Sequence, residues 1–151
     1  MIKSPARETD ITDLALDRFW ETIPPLWSQV RAHVRAMAME QFSVSVEQFQ
    51  LLRLVRSGRT SVSALAAAKN ISRPAISQAV DVLVLKRMLT RTQDVDDRRH
   101  SQLALTKAGD AMLDIIFEDT RAWMRLKLGS LSQSELESIS EAMHSLKKML
   151  D

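Results

Sequence analysis

Four charged residues in a row, Asp96, Asp97, Arg98 and Arg99, stand inside the segment DVDDRRHSQLALTKAG that covers residues 94–109. Short runs of strand character flank them, residues 88–92 before and 102–105 after, so the charges fall in a loop between two predicted strands. Arginine at such a tip enters narrow grooves of strongly negative potential, as in the minor groove of duplex DNA. Asp97 beside the arginines can hold a guanidinium in position through a charge-assisted hydrogen bond. The competing reading is a solvated turn with a surface ion pair worth roughly 0–1 kcal/mol.

The stretch just upstream, SRPAISQAVDVLVLKRM (72–88), reads as a helix capped by Ser72, with Pro74 in the first turn where no N–H is missed. Helical angles put Pro74, Ser77, Gln78 and Asp81 on one face and Ile76, Val80 and Leu83 on the other, with Arg73 at the edge between them. The second face anchors the helix in a core. The first has the chemistry a major groove receives: glutamine pairs with adenine, arginine with guanine, and serine donates to bases or phosphates. An ordinary solvated face would look the same in isolation, and the charged loop that follows favours the DNA reading.

The elements that must position these residues are mostly helical. Residues 10–22 form a short amphipathic pattern with Ile11, Leu14, Phe19 and Trp20. Pro24 and Pro25 are expected to break it at Ile23, because the residue before a proline resists the α conformation. A second helix then carries the stripe Leu26, Trp27, Val30, Val34 and Met37. Ser45 and Gln48 form a capping box for a helix with Phe49, Leu52 and Val55, which Gly58 ends. Ser63 caps a short helix over 64–69, and Asn70 and Ile71 turn the chain into the Ser72 helix. Two short helices joined by a tight turn make a helix-turn-helix unit. Thr106 caps a long helix with Met112, Ile115, Ile116, Trp123 and Leu126, and Gly129 ends it. The box Ser132–Glu135 opens a last helix with the stripe Leu136, Ile139, Met143, Leu146 and Leu150. The order of elements predicts a mostly α chain with a small β-wing. A winged helix-turn-helix lobe (43–105) lies between N-terminal (1–42) and C-terminal (106–151) helices. The apolar stripes of those outer helices need a partner, and the same stripes of a second copy would bury them in a symmetric homodimer.

Charge distribution agrees. The net charge of the chain is only +2, but residues 56–107 hold ten basic and four acidic residues against eleven and fifteen elsewhere. A basic middle between acidic ends suits contact with a polyanion. Thr60, Ser61, Ser63, Lys69 and Lys86 are candidate phosphate contacts, and helix capping competes with that role at Ser63. Trp20, Trp27, His33, Met37 and Trp123 on the outer helices are candidates for an apolar or aromatic effector pocket, with plain core or dimer interface as the alternative. His33, between Arg31 and Arg35, can also receive an acidic ligand, or be a solvated helix residue.

Composition excludes several classes. The absence of cysteine removes disulfides and thiol redox sensing. His33, His100 and His144 lie far apart, so neither a metal site nor another cofactor is expected. No apolar run approaches a membrane span and the N-terminus lacks a signal-peptide pattern, so a cytoplasmic protein without membrane contact is expected. No nucleophile with a base and no phosphate-cradling glycine loop is visible, so an enzyme is not expected.

The stretches VEQFQLLRLV (46–55), SALAAAKNISRPAISQAVDVL (63–83), DVDDRRHSQLALTKAG (94–109) and LSQSELESI (131–139) together resemble the MarR family of transcriptional regulators. The third is the most specific, through its Asp-x-Arg tip and Leu-Thr-x-x-Gly exit. The resemblance implies a homodimer whose terminal helices form the base. It implies that Asp97 orients the wing arginine, that Arg99 enters the minor groove, and that the start of the Ser72 helix reads bases of a pseudo-palindromic operator. It further implies a repressor released by a small phenolic or otherwise aromatic compound. The chain departs from the family pattern at Met88, where glycine is usual, at Gln78, where arginine is frequent, and at Val82 and Val84, where charges are common. Lack of cysteine argues against the thiol-oxidation branch, and the scattered histidines against the zinc-sensing branch. The rival readings are a ligand-independent DNA-binding regulator and a winged-helix module for protein interaction.

Overall fold

The computed structural model describes residues 10–93 and 101–150, which form six helices and two strands. In chain order these are α1 (Ile11–Phe42), α2 (Val46–Arg56), α3 (Val62–Lys69), α4 (Arg73–Leu85), β1 (Leu89–Gln93), β2 (Ser101–Leu105), α5 (Lys107–Leu128) and α6 (Gln133–Lys147). The strands pair antiparallel, with Leu89 opposite Leu105 and Gln93 opposite Ser101. The Leu103 N–H donates to the Thr60 carbonyl at 2.8 Å, so the α2–α3 connection lies along the outer edge of β2. No helix among these is long and apolar enough to cross a membrane.

One hydrophobic core joins α1–α5 to the strand pair. Leu52, Leu65, Val80, Leu83, Leu89, Leu103, Met112 and Ile116 are fully buried in it, and among the described residues no polar or charged residue is buried. Each buried aliphatic side chain contributes about 1.5–3 kcal/mol relative to exposure. The caps expected from sequence form at α2, α4, α5 and α6, with complete capping boxes at Ser45–Gln48 and Ser132–Glu135.

Two expectations are corrected. Pro24 and Pro25 do not break the chain: α1 runs without interruption through both. Proline's φ is itself helical, and the helix forfeits the bonds to the carbonyls of Trp20 and Glu21 and accommodates the proline rings against them. Both residues are exposed, so water can take up those carbonyls. The cap of α3 is Ser61 rather than Ser63; its side chain accepts from the Ala64 N–H at 3.1 Å.

The departure at Met88 has a structural answer. Helix α4 ends in a reciprocal backbone pair, Arg87 N–H to the Val84 carbonyl and Met88 N–H to the Leu83 carbonyl, both at 2.9 Å. This Schellman arrangement requires a left-handed residue just past the cap. That residue is Arg87, with φ 57°, and not Met88. Met88 packs against the core, and its carbonyl accepts from the Thr106 N–H at 3.1 Å. A methyl group built on Gly109 would overlap that same carbonyl oxygen, which explains the glycine two residues into α5's first turn.

Two predictions follow from this corner. Gly109→Ala should lower stability by about 1–3 kcal/mol through overpacking. Arg87→Gly should be neutral or stabilising, whereas Arg87→Val should cost about 1–2 kcal/mol. Urea-unfolding midpoints check both; equal midpoints for Gly109→Ala and the unmodified protein would contradict the packing.

Candidate nucleic-acid interface

The turn before α4 is built from local hydrogen bonds. Asn70 adopts the left-handed conformation at φ 52° and closes α3, and the Ile71 N–H donates to the Ala66 carbonyl at 3.1 Å. Ser72 then caps α4 by accepting from the Ala75 N–H, and Pro74 occupies the first turn. The helix divides as its angles require. Ile76, Val80 and Leu83 are buried, while Arg73, Pro74, Gln78 and Asp81 are exposed and Ser77 is half-buried. Val82 is exposed and Val84 packs against the core.

Ser77 is half-covered because a strand residue reaches it. Arg91 of β1 donates from Nη1 to Asp81 Oδ1 at 2.7 Å, from Nη2 to Ser77 Oγ at 3.3 Å, and from Nε to Ser101 Oγ at 3.2 Å. Sequence reasoning counted Arg91 only as one charge among ten. The available signal was the period of two along the strand: Arg91 lies on the side of Leu89, which is buried in the core. The spacing of Ser77 and Asp81, one helical turn apart, completes that signal.

The remaining candidates divide. Asp97, Arg98 and Arg99 lie outside the described residues. Thr60 offers its carbonyl to β2 and Ser61 caps α3, while Ser63 is exposed on α3. Lys69 donates to Gln50 Oε1, and Lys86 donates to the Ser43 carbonyl and, at 3.2 Å, to Gln48 Oε1. Both ammonium groups therefore have internal acceptors that tie the helices together. Lys86→Met should lower stability by about 1–2 kcal/mol while leaving the salt dependence of DNA binding unchanged. A flatter salt dependence at unaltered stability would return Lys86 to the phosphate contacts.

The aromatic candidates do not form one pocket. The His33 ring stacks on Trp123 at 4.7 Å between centroids, and its Nε2 lies 2.6 Å from Asp119 Oδ2, joining α1 to α5. Trp20 is exposed and meets Phe19 edge-on, and Met37 packs against the core. Only Trp27 of the five lines the cavity of about 760 Å³ between α1, α2 and α5. The cavity wall also includes Val34, Phe49, Leu113 and Phe117, with Arg31, Arg53 and Arg56. Arg56 pairs with Asp114 at 2.6 Å and with Asp110 at 3.4 Å, and the hydrogen bond it donates to Asp114 moves its pKa further up, so it stays charged. The volume and mixed wall suit a small organic molecule with an apolar body.

A helix-turn-helix followed by a two-stranded wing, with an exposed polar face on the second helix, defines the winged helix-turn-helix class. Residues 42–100 match the model of the MarR family. The chain is 30% identical over 100 residues to the HTH-type transcriptional repressor MdtR of Bacillus subtilis, covering 66% of this chain and 64% of that protein. The fold is similar to transcriptional regulator Tm0710 from Thermotoga maritima, with a TM-score of 0.78 and 20% identity, covering 89% of this chain and 94% of that one. It is also similar to Streptococcus pneumoniae FabT in complex with DNA, with a TM-score of 0.67 and 15% identity over 89% and 96% of the two chains. The chain is thus similar to the MarR family over residues 42–100 and has the winged helix-turn-helix fold seen in these transcriptional regulators.

Proposed function

We propose that the protein is a homodimeric, sequence-specific repressor that binds a pseudo-palindromic operator and is released by a small apolar or aromatic effector. The observation that carries the DNA-reading part is the face of α4 beside the wing, where Arg73, Pro74 and Gln78 are exposed and Ser77 is half-buried. In this reading Gln78 and Arg73 meet base edges, and Arg99, oriented by Asp97, enters the minor groove. In this reading the protein acts in the cytoplasm. The repressor role draws on the likeness to MdtR, and the duplex partner on the likeness to the DNA-bound FabT.

Two features support the dimer and the effector. No residue of α6 is buried, and Leu136, Ile139 and Met143 along it and Leu150 just past its end are exposed. Leu126 near the end of α5 and Ile11, Leu14 and Trp20 near the start of α1 are also exposed. Residues 1–42 and 106–151 thus supply the dimer base, and 43–105 the DNA-binding lobe. The cavity touches α2 of the lobe and α1 and α5 of the base, so a ligand there makes different contacts as the lobe tilts. Such differential affinity is what a population shift requires. The cavity favours this reading over a ligand-independent regulator, and the basic middle of the chain favours it over a protein-interaction module.

Two measurements test it. Arg99→Ala should weaken binding to the DNA upstream of the protein's own gene and reduce the slope of log affinity against log salt by about one; unchanged affinity and slope would remove the wing from the interface. Sedimentation should find a dimer that Leu136→Asp with Ile139→Asp converts to monomer, and a wild-type monomer at micromolar concentration would contradict the assembly.

A further inference from the structure

We propose that Arg91 is a positioning residue: with Asp81 as its counter-charge it sets the angle between α4 and the wing, and thereby sequence discrimination. The inference rests on the DNA-reading assignment and extends it to a residue that does not itself read DNA.

The geometry is specific. All three nitrogens of the Arg91 guanidinium donate, to Asp81 and Ser77 on α4 and to Ser101 on β2. One side chain on β1 thus joins the partner strand to two successive turns of the helix. An exposed ion pair alone contributes little. A planar guanidinium held by three acceptors in two elements is another matter, because its fork fixes direction as well as distance. The wing needs such a fixture: two strands alone are marginal in water and twist readily. On the core side Leu89 and Leu103 hold the strand pair. On the same face, two residues further along β1, Arg91 ties it to α4.

The charges have a second consequence. Asp81 lies on the exposed side of α4 with Gln78, where a bare carboxylate would repel phosphate. Arg91 cancels that repulsion, and Asp81 in turn withholds Arg91 from phosphate. The pair therefore adds little to gross electrostatic affinity. Its effect is to let α4 and the wing engage two adjacent grooves at one spacing, which only the correct duplex shape rewards.

The test uses the whole protein, a duplex enriched by the wild type from a random pool, and the unselected pool, across a salt series. Asp81→Asn releases Arg91 and removes the repulsion. Binding to the unselected pool should rise several-fold, the salt slope should steepen by about one, and the ratio of selected to unselected affinity should fall about tenfold. Arg91→Lys keeps the charge and loses the fork, so its ratio should fall while its slope stays near the wild type. Circular dichroism establishes folding of each variant, and Asp81→Asn, at an exposed position, decides the matter if an Arg91 variant does not fold. Wild-type ratios in both Asp81→Asn and Arg91→Lys, with slopes moved only by the charge change, would overturn the proposal while leaving DNA reading intact. Failure of the wild type to enrich any sequence would overturn both.

Discussion

The structure depends on the corner where α4 ends and the wing begins. There the Met88 carbonyl receives the Thr106 N–H, the Thr106 hydroxyl donates to the Arg87 carbonyl at 2.7 Å, and Gly109 leaves room for the close approach. Three elements meet at that point: α4, β1 and the first turn of α5. Leu83 and Leu89 on either side of the corner are buried in the common core. The direction of α4, the rise of the wing and the start of the long helix are therefore one geometric decision. The left-handed Arg87 holds strain there that a glycine would relieve. The hydrogen bonds around it keep that conformation in place.

What faces solvent follows from what the corner and the core take up. Ile76, Val80 and Leu83 hold one side of α4, so its polar side is presented without further design. The basic residues have divided tasks. Lys69 and Lys86 are engaged inside the fold, Arg56 joins α2 to α5, and Arg91 joins the wing to α4. The excess positive charge in the middle of the chain is thus partly structural. A count of lysines and arginines overstates how many can meet a phosphate.

Local rules were legible in the sequence and tertiary partnerships were not. The capping boxes at Ser45 and Ser132, the Ser72 and Thr106 caps and the two faces of α4 all follow from spacing within one turn, and they form as expected. The prolines misled because a break was inferred from the conformational preference of Ile23, although a long exposed helix can lose two backbone bonds and continue. The Ser61 cap was missed because Ser61 and Ser63 are both competent and only the path of the chain selects between them. His33 was read with its neighbours on α1, whereas its partners Asp119 and Trp123 lie on α5. The cavity mixes residues from three helices, which no single stripe reveals, and Trp27 alone was found.

The helices outside the lobe complete the account. Helix α6 carries an apolar stripe with no buried residue, and α1 and α5 are held together by the His33–Asp119–Trp123 contact. A second copy on that base would set two α4 helices against one face of a duplex. The most direct measurement of this central claim is a hydroxyl-radical footprint of the wild-type protein on a duplex it has enriched. The account predicts two symmetric protected patches on one face, centred about one helical turn apart, roughly 34–36 Å. A single patch, or uniform protection with no periodicity, would contradict it.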